Sequence, residues 1–171
     1  TPSEKMLNKD KFYHLLLDLS KMMTDNGELN FAFEIAQDLI NKIESSSNYT
    51  EIHAETESII SKIYWCQAQW EESEYHCEEA YKLFKLISKQ SGYARCENMY
   101  GTLYGEKGDF IKAQEHFKKA LTYLNNDEDI SLQAMILTNL GIINTITGNF
   151  EQAIWNHKNS IEKFEKLNDL N

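Results

Sequence analysis

The stretch that decides the fold is Tyr100-Gly101-Thr102-Leu103-Tyr104-Gly105-Glu106-Lys107-Gly108-Asp109-Phe110, continued by Ala113, Phe117 and Ala120. A second stretch aligns with it without a gap: Leu140-Gly141-Ile142-Ile143-Asn144, then Thr147-Gly148-Asn149-Phe150, Ala153, His157 and Ser160. The offset is 40 at every mark, since 141 − 101, 148 − 108 and 153 − 113 agree. Stepping back by 40 lands on Ser61, Ala68, Trp70, Ser73, Cys77 and Ala80. One more step, with a slip of one residue, gives Ser20, Gly27, Leu29, Ala32, Ala36 and Leu39. A fixed period of this length marks a stacked repeat.

Each mark has a physical purpose. The first small residue lets two helices approach closely. The glycine supplies the left-handed conformation that ends a helix. Asp109 and Asn149 can cap the helix that follows, and Gln152 stands three residues after Asn149 as in a capping box. The aromatic after the turn packs back on the first helix, and the alanines leave room for the next repeat.

The pattern of small residue, aromatic, Gly, Asp or Asn, aromatic, Ala and Ala resembles the tetratricopeptide repeat over nearly the whole chain. The ordinary period is about 34 residues, and the longer step here resembles kinesin light chains and the bacterial Rap/PlcR/NprR group of peptide sensors. The resemblance implies an all-α, right-handed superhelical solenoid of four helix pairs. The repeats are expected at 5–46, 49–89, 92–126 and 129–168, forming one array over 1–171. Eight helices are expected near 5–25, 28–45, 50–67, 70–88, 92–107, 110–125, 129–147 and 150–168. The breaks fall at Ser45-Ser46-Ser47-Asn48, Ser91-Gly92 and Asn125-Asn126-Asp127. The expected core includes Leu16, Leu19, Met23, Ile35, Leu39, Ile60, Tyr64, Trp70, Tyr81 and Phe84 in the first two pairs. In the last two it includes Leu103, Tyr104, Phe110, Phe117, Leu121, Leu140, Ile143, Phe150 and Ile154. Phe164 and Leu167 fall on the last helix. The absent initiator Met and the apolar last helix raise the expectation of a piece of a longer protein.

Composition narrows the partners. The 171 residues carry a net charge of −10, with Arg95 the only arginine. Phosphate binding needs a basic face, so nucleic acid is not an expected ligand of this segment. No apolar run is long enough to span a bilayer and no signal peptide is visible, so no membrane partner is expected. Cys66, Cys77 and Cys96 have neither disulfide nor zinc spacing and read as reduced thiols, which fits a cytoplasmic setting. Self-association is left open.

Motifs for phosphate loops, zinc proteases and serine hydrolases are absent, so no catalytic residue, metal or cofactor is assigned and the chain is not expected to be an enzyme. His76 and His116 stand 40 apart and could suggest a metal site. Equivalent places in stacked repeats lie about 10 Å apart, too far for shared ligation. Glu71, Glu72, Glu74, Glu78 and Glu79 read as a solvated face.

The resemblance places a ligand groove on the first helices of the pairs. Carried over repeat by repeat, its positions are His14, Leu17 and Lys21; Glu55, Ser58, Lys62 and Trp65; Arg95, Asn98 and Thr102; and Met135, Thr138, Asn139 and Ile142. In such families asparagines at Asn98 and Asn139 hold a peptide main chain. Lys21, Lys62 and Arg95 could take an acidic group, Arg bidentately. The Lys–Asn pairing that clamps chaperone tails is missing. The function implied is a peptide- or protein-binding domain, the sensor part of a bacterial transcriptional regulator. The alternatives are a structural adaptor or a segment of a Rap-like response-regulator phosphatase.

Overall fold

A computed structural model describes residues 2–43, 47–125 and 129–168. Among these residues there are eight α-helices and no strand. They are α1 (Pro2–Asp25), α2 (Leu29–Lys42), α3 (Thr50–Cys66), α4 (Trp70–Leu86), α5 (Gln90–Glu106), α6 (Phe110–Thr122), α7 (Ile130–Ile146) and α8 (Phe150–Asn168). A short 3-10 turn, Ser47–Tyr49, precedes α3. The chain is therefore all-α with the expected eight helices, although α2 and α6 each end three residues early. Residues 45, 46, 126 and 127 of the expected breaks lie outside the described residues. No described helix is long and apolar enough to cross a membrane.

The helices form two compact units, Thr1–Ser88 and Lys89–Asn171, each of two helix pairs. In the first unit α1 packs on α2, α2 on α3 and α3 on α4. In the second, α5 packs on α6, α6 on α7 and α7 on α8.

The turn inside each pair is built alike. Gly108 has φ +78 and donates to Gly105 O (3.0 Å), while Asp109 N donates to Tyr104 O (2.9 Å). These two bonds satisfy carbonyls left over at the helix end. The same pair of bonds joins Gly148 to Thr145 and Asn149 to Asn144, Ala68 to Trp65 and Gln69 to Tyr64, and Gly27 to Thr24 and Glu28 to Met23. Ala68 holds φ +58 where the other three turns use glycine. Asp109 caps α6 through Lys112 N (3.1 Å). Asn149 does not cap α8; its amide donates instead to Thr147 Oγ1 (3.1 Å).

The small residues mark where each pair crosses. Ser20 donates to Ala32 O (2.9 Å), and Ser61 and Ser73 exchange bonds with each other's carbonyls (2.8 Å each). Gly101 lies under the Phe117 ring, where a Cβ would stand 2.6 Å from the ring. Gly141 lies likewise under the His157 ring.

The core of the second unit joins Ala113, Phe117 and Ala120 of α6 to Leu132, Ile136, Leu140 and Ile143 of α7, with Phe110, Leu121 and Leu124 packed around them. In the first unit the corresponding joint between α2 and α3 uses Leu39 with Ile52, and Ala32 with Ile59 and Ile63. Phe84, Leu39, Ile60, Leu103 and Phe117 are fully buried or nearly so, as expected. Phe150 and Ile154 are not core: they are 64% and 70% exposed, and Phe164 is exposed as well. The reason lies in what covers their counterparts. Phe110 packs against the cluster that α5 and α6 form with α7, the helix after its own, and among the described residues no helix follows α8.

Candidate functional site

In the first unit the candidate residues sit on α1 and α3. Lys21 is exposed on α1. Lys62, half-exposed on α3, pairs with Asp25 (Nζ to Oδ1, 2.6 Å). Trp65 is half-buried, and its buried indole N–H finds no acceptor among the described residues. His14 Nδ1 donates to Asp10 O (2.8 Å), and Ser58 Oγ donates to Ala54 O (3.0 Å). Leu17 is half-buried and packs with the α1–α2 and α2–α3 contacts rather than on an open face. Glu55 is half-buried on α3.

The second unit brings more of them together. Asn139 of α7 donates from Nδ2 to Asn98 Oδ1 of α5 (3.0 Å). This bond uses one donor and one acceptor of two carboxamides that each carry both. The Asn98 nitrogen and the Asn139 carbonyl oxygen keep no partner among the described residues. Thr102 Oγ1 donates to Asn98 O (3.0 Å) and stands one turn further along α5. Met135 and Ile142 are exposed and, with Asn139, occupy positions i, i+4 and i+7 of α7, one face of the helix. Ile146 extends that apolar face by another turn.

Two candidates are directed elsewhere. Arg95 reaches Asp129 Oδ2 (3.4 Å), so its charge is already matched. Thr138 Oγ1 bonds Ala134 O (3.0 Å) and Ser160 Oγ (2.7 Å), which directs it into the α7–α8 joint.

His76 and His116 belong to clasps that the sequence reading missed. His76 Nδ1 meets Glu57 Oε2 (2.6 Å) and stacks on Tyr64 (5.3 Å between ring centres). His116 Nδ1 meets Glu97 Oε2 (2.7 Å) and stacks on Tyr104 (5.1 Å). Glu97 is 2% exposed and also takes Lys119 Nζ (2.7 Å), which raises the lysine's pKa. Glu57 also faces His53 Nε2 (3.3 Å). Burial alone would push the Glu57 carboxyl up, but hydrogen bonds from His53 and His76 outweigh it and hold the pKa below the usual value. Each clasp ties the first helix of a pair to the second. The signal was present in the sequence: Glu57 and Glu97 are 40 apart, as the two histidines are.

Among known proteins, residues 53–126 match the tetratricopeptide repeat model. That segment consists of tetratricopeptide repeats, and the fold of the chain is that of a tetratricopeptide-repeat protein. No curated protein sequence matches the chain. Among solved structures it is similar to BtubC (BKLC) from P. vanneervenii, with 20% identity and a TM-score of 0.70 over 93% of this chain and 65% of that one. It is similar to MamA, with 22% identity and a TM-score of 0.58 over 97% and 86%. It is also similar to aspartyl phosphate phosphatase F from Bacillus subtilis, with 14% identity and a TM-score of 0.75 over 93% and 42%. At such identities the likeness is one of fold. The chain spans 65% of the BtubC chain and 42% of the phosphatase chain.

Proposed function

We propose that the chain binds an extended peptide or protein segment, and that the Asn98–Asn139 pair is the centre of the site. The observation that carries this is the unspent hydrogen-bonding capacity of the pair. One free amide nitrogen and one free carbonyl oxygen match the acceptor and donor that every peptide unit of an extended chain presents. Exposed Met135, Ile142 and Ile146 beside the pair offer apolar contact to ligand side chains. Thr102 lies one turn along α5 and completes the polar strip. In the first unit, taken by itself, exposed Lys21 offers a cationic position for an acidic group. Lys62 and Arg95 would first have to release Asp25 and Asp129. The net charge of −10 favours a neutral or basic ligand.

Within this function the finer assignment is the sensor part of a bacterial transcriptional regulator, supported by the resemblance of the 40-residue repeat to those of the Rap/PlcR/NprR peptide sensors. The phosphatase activity in the name of one structural neighbour stays with that protein, of which this chain spans 42%. A peptide-array screen finds the ligand, and titration of the best peptide tests the site. Replacing both Asn98→Ala and Asn139→Ala should weaken binding about tenfold or more, about 1.4 kcal/mol, with helicity unchanged. Full affinity in the double variant would move the site off this face.

A further inference from the structure

The Asn98–Asn139 pair lies on two helices whose charge pattern differs from that of the other two in the second unit. α7 has 17 residues and none of them is charged, in a chain of which 26% of residues are. Burial does not account for this. Ser131, Met135, Ile142, Thr145 and Ile146 are exposed, and Asn139 is half-buried. Exposed positions of α6 carry charge at Lys112, Glu115 and Lys118, and those of α8 at Glu151, Lys158 and Glu162, as solvated surfaces ordinarily do. α5 shares the character of α7. Of its charged residues, Glu97 is buried against His116 and Lys119, Arg95 is matched by Asp129 (3.4 Å), and Glu106 is the last residue of the helix. Arg95 and Glu106 stand about three turns apart. Between them the half-buried residues of α5 include Asn98, Met99 and Thr102, all uncharged.

One seat shows the change directly. Stepped back by the period, Ile142 becomes Thr102, then Lys62 and, through the one-residue slip, Lys21. The seat is cationic in both pairs of the first unit and uncharged in both pairs of the second. In the first unit Lys62 has a counter-charge in Asp25 (2.6 Å). In the second, Ile142 is 46% exposed and stands one turn from Asn139. A ligand charge brought against Met135, Ile142 and the two carboxamides would lose water and meet no opposite charge, whereas an apolar side chain there gains by burial. Building on the reading of Asn98 and Asn139 as holders of a peptide main chain, we propose that the segment they hold is uncharged, with apolar side chains set against Met135 and Ile142. Ile142 is the residue that sets this selectivity. Charged segments are rejected by desolvation without a partner, which is discrimination by an unpaired group rather than by an added contact. Because no ion pair forms across the contact, salt has nothing to screen and leaves the affinity in place.

A peptide array on the 171-residue chain, followed by calorimetric titration of the best binder, tests this. The best binders should carry no charge over the segment held, and Lys or Glu scanned through that segment should each weaken binding about tenfold or more. Affinity should change by less than about twofold between about 0.05 and about 0.5 M NaCl. Ile142→Lys gives the fourth pair the residue of the second, and it should reverse the selectivity: the parent peptide binds about tenfold more weakly, and a Glu-substituted peptide now outbinds its Lys counterpart about tenfold. Should that variant lose helicity, Met135→Arg takes its place, since Arg95 fills the same seat in the third pair. A best binder that needs a charge in the segment, or that weakens about tenfold with salt, overturns the proposal while leaving the site in place, provided Asn98→Ala with Asn139→Ala abolishes its binding. An unchanged preference in Ile142→Lys overturns it as well. Full affinity in the double asparagine variant, or an array without a binder, overturns the reading of the site itself and this inference with it.

Discussion

Gly101 and Gly105 lie one turn apart on α5, and alanine at the two positions should move stability in opposite directions. In a helix interior, alanine in place of glycine gains about 0.5–1 kcal/mol by removing backbone freedom from the unfolded chain. At Gly105 the added methyl meets Ile143 Cδ1 at 3.5 Å, an ordinary contact, so Gly105→Ala should keep that gain. At Gly101 the methyl would stand 2.6 Å from two atoms of the Phe117 ring. Phe117 is buried in the α5–α6–α7 core and has no open side to move toward. Overpacking of this kind costs about 1–3 kcal/mol, and a held ring puts it near the upper end, so Gly101→Ala should lose about 1–2 kcal/mol net. The two variants should thus differ by about 2–3 kcal/mol, or roughly 4–12 °C in Tm for a chain of this size. Thermal and urea unfolding followed by far-UV circular dichroism give both shifts. Equal stability of the two variants would mean that close approach of α5 and α6 is not what demands glycine at 101.

Two further outcomes follow from local geometry. Ala68 is a non-glycine residue at φ +58, where an L side chain costs about 1–2 kcal/mol, so Ala68→Gly should stabilise the first unit by roughly 0.5–1 kcal/mol after the entropy of glycine is subtracted. A lower urea midpoint in that variant would contradict the strain at this turn. Glu57 has a folded pKa below its usual 4.5, so its contribution is present above the unfolded value and fades as pH falls through the folded one. The stability gap between wild type and Glu57→Gln should therefore narrow from about pH 5 downward, and a gap that stays constant to about pH 3 would contradict the His53–His76 clasp.

The helix pairs were legible because their chemistry is local. A glycine in the left-handed region, an aromatic one residue after the cap and alanines a turn apart recur at a constant step, and the turn bonds at Gly27, Ala68, Gly108 and Gly148 follow that step atom for atom. The exposure of Phe150 and Ile154 was not legible, because the pattern gives a residue its seat on a helix and leaves open whether another helix sits opposite. The cap expected of Asn149 failed for a related reason. A carboxamide near Thr147 has a second partner within reach, and the spacing to Gln152 cannot choose between them.

The candidate site shows a different limit. Repeat arithmetic pairs Asn98 with Thr138 and Asn139 with Met99, yet the bond observed joins Asn98 to Asn139, across the register rather than along it. Thr138 turns into the α7–α8 joint and leaves Asn139, one residue on, to face α5. Equivalent positions preserve packing, since identical seats must hold neighbouring pairs at one distance. A binding surface needs the reverse, because a ligand is distinguished only where neighbouring repeats differ. The glutamate–histidine clasp obeys the first demand in the second and third pairs and is absent from the outer two, where Leu16 with Ile35 and Leu137 with Asn156 take its seats. Buried charge pairs contribute little net stability against apolar replacements, so the outer pairs can lose the clasp and keep the fold. The departures from the period, rather than the period itself, are therefore where function has room to be written, and half-buried Asn98 with Asn139 is the departure on which the proposed site rests.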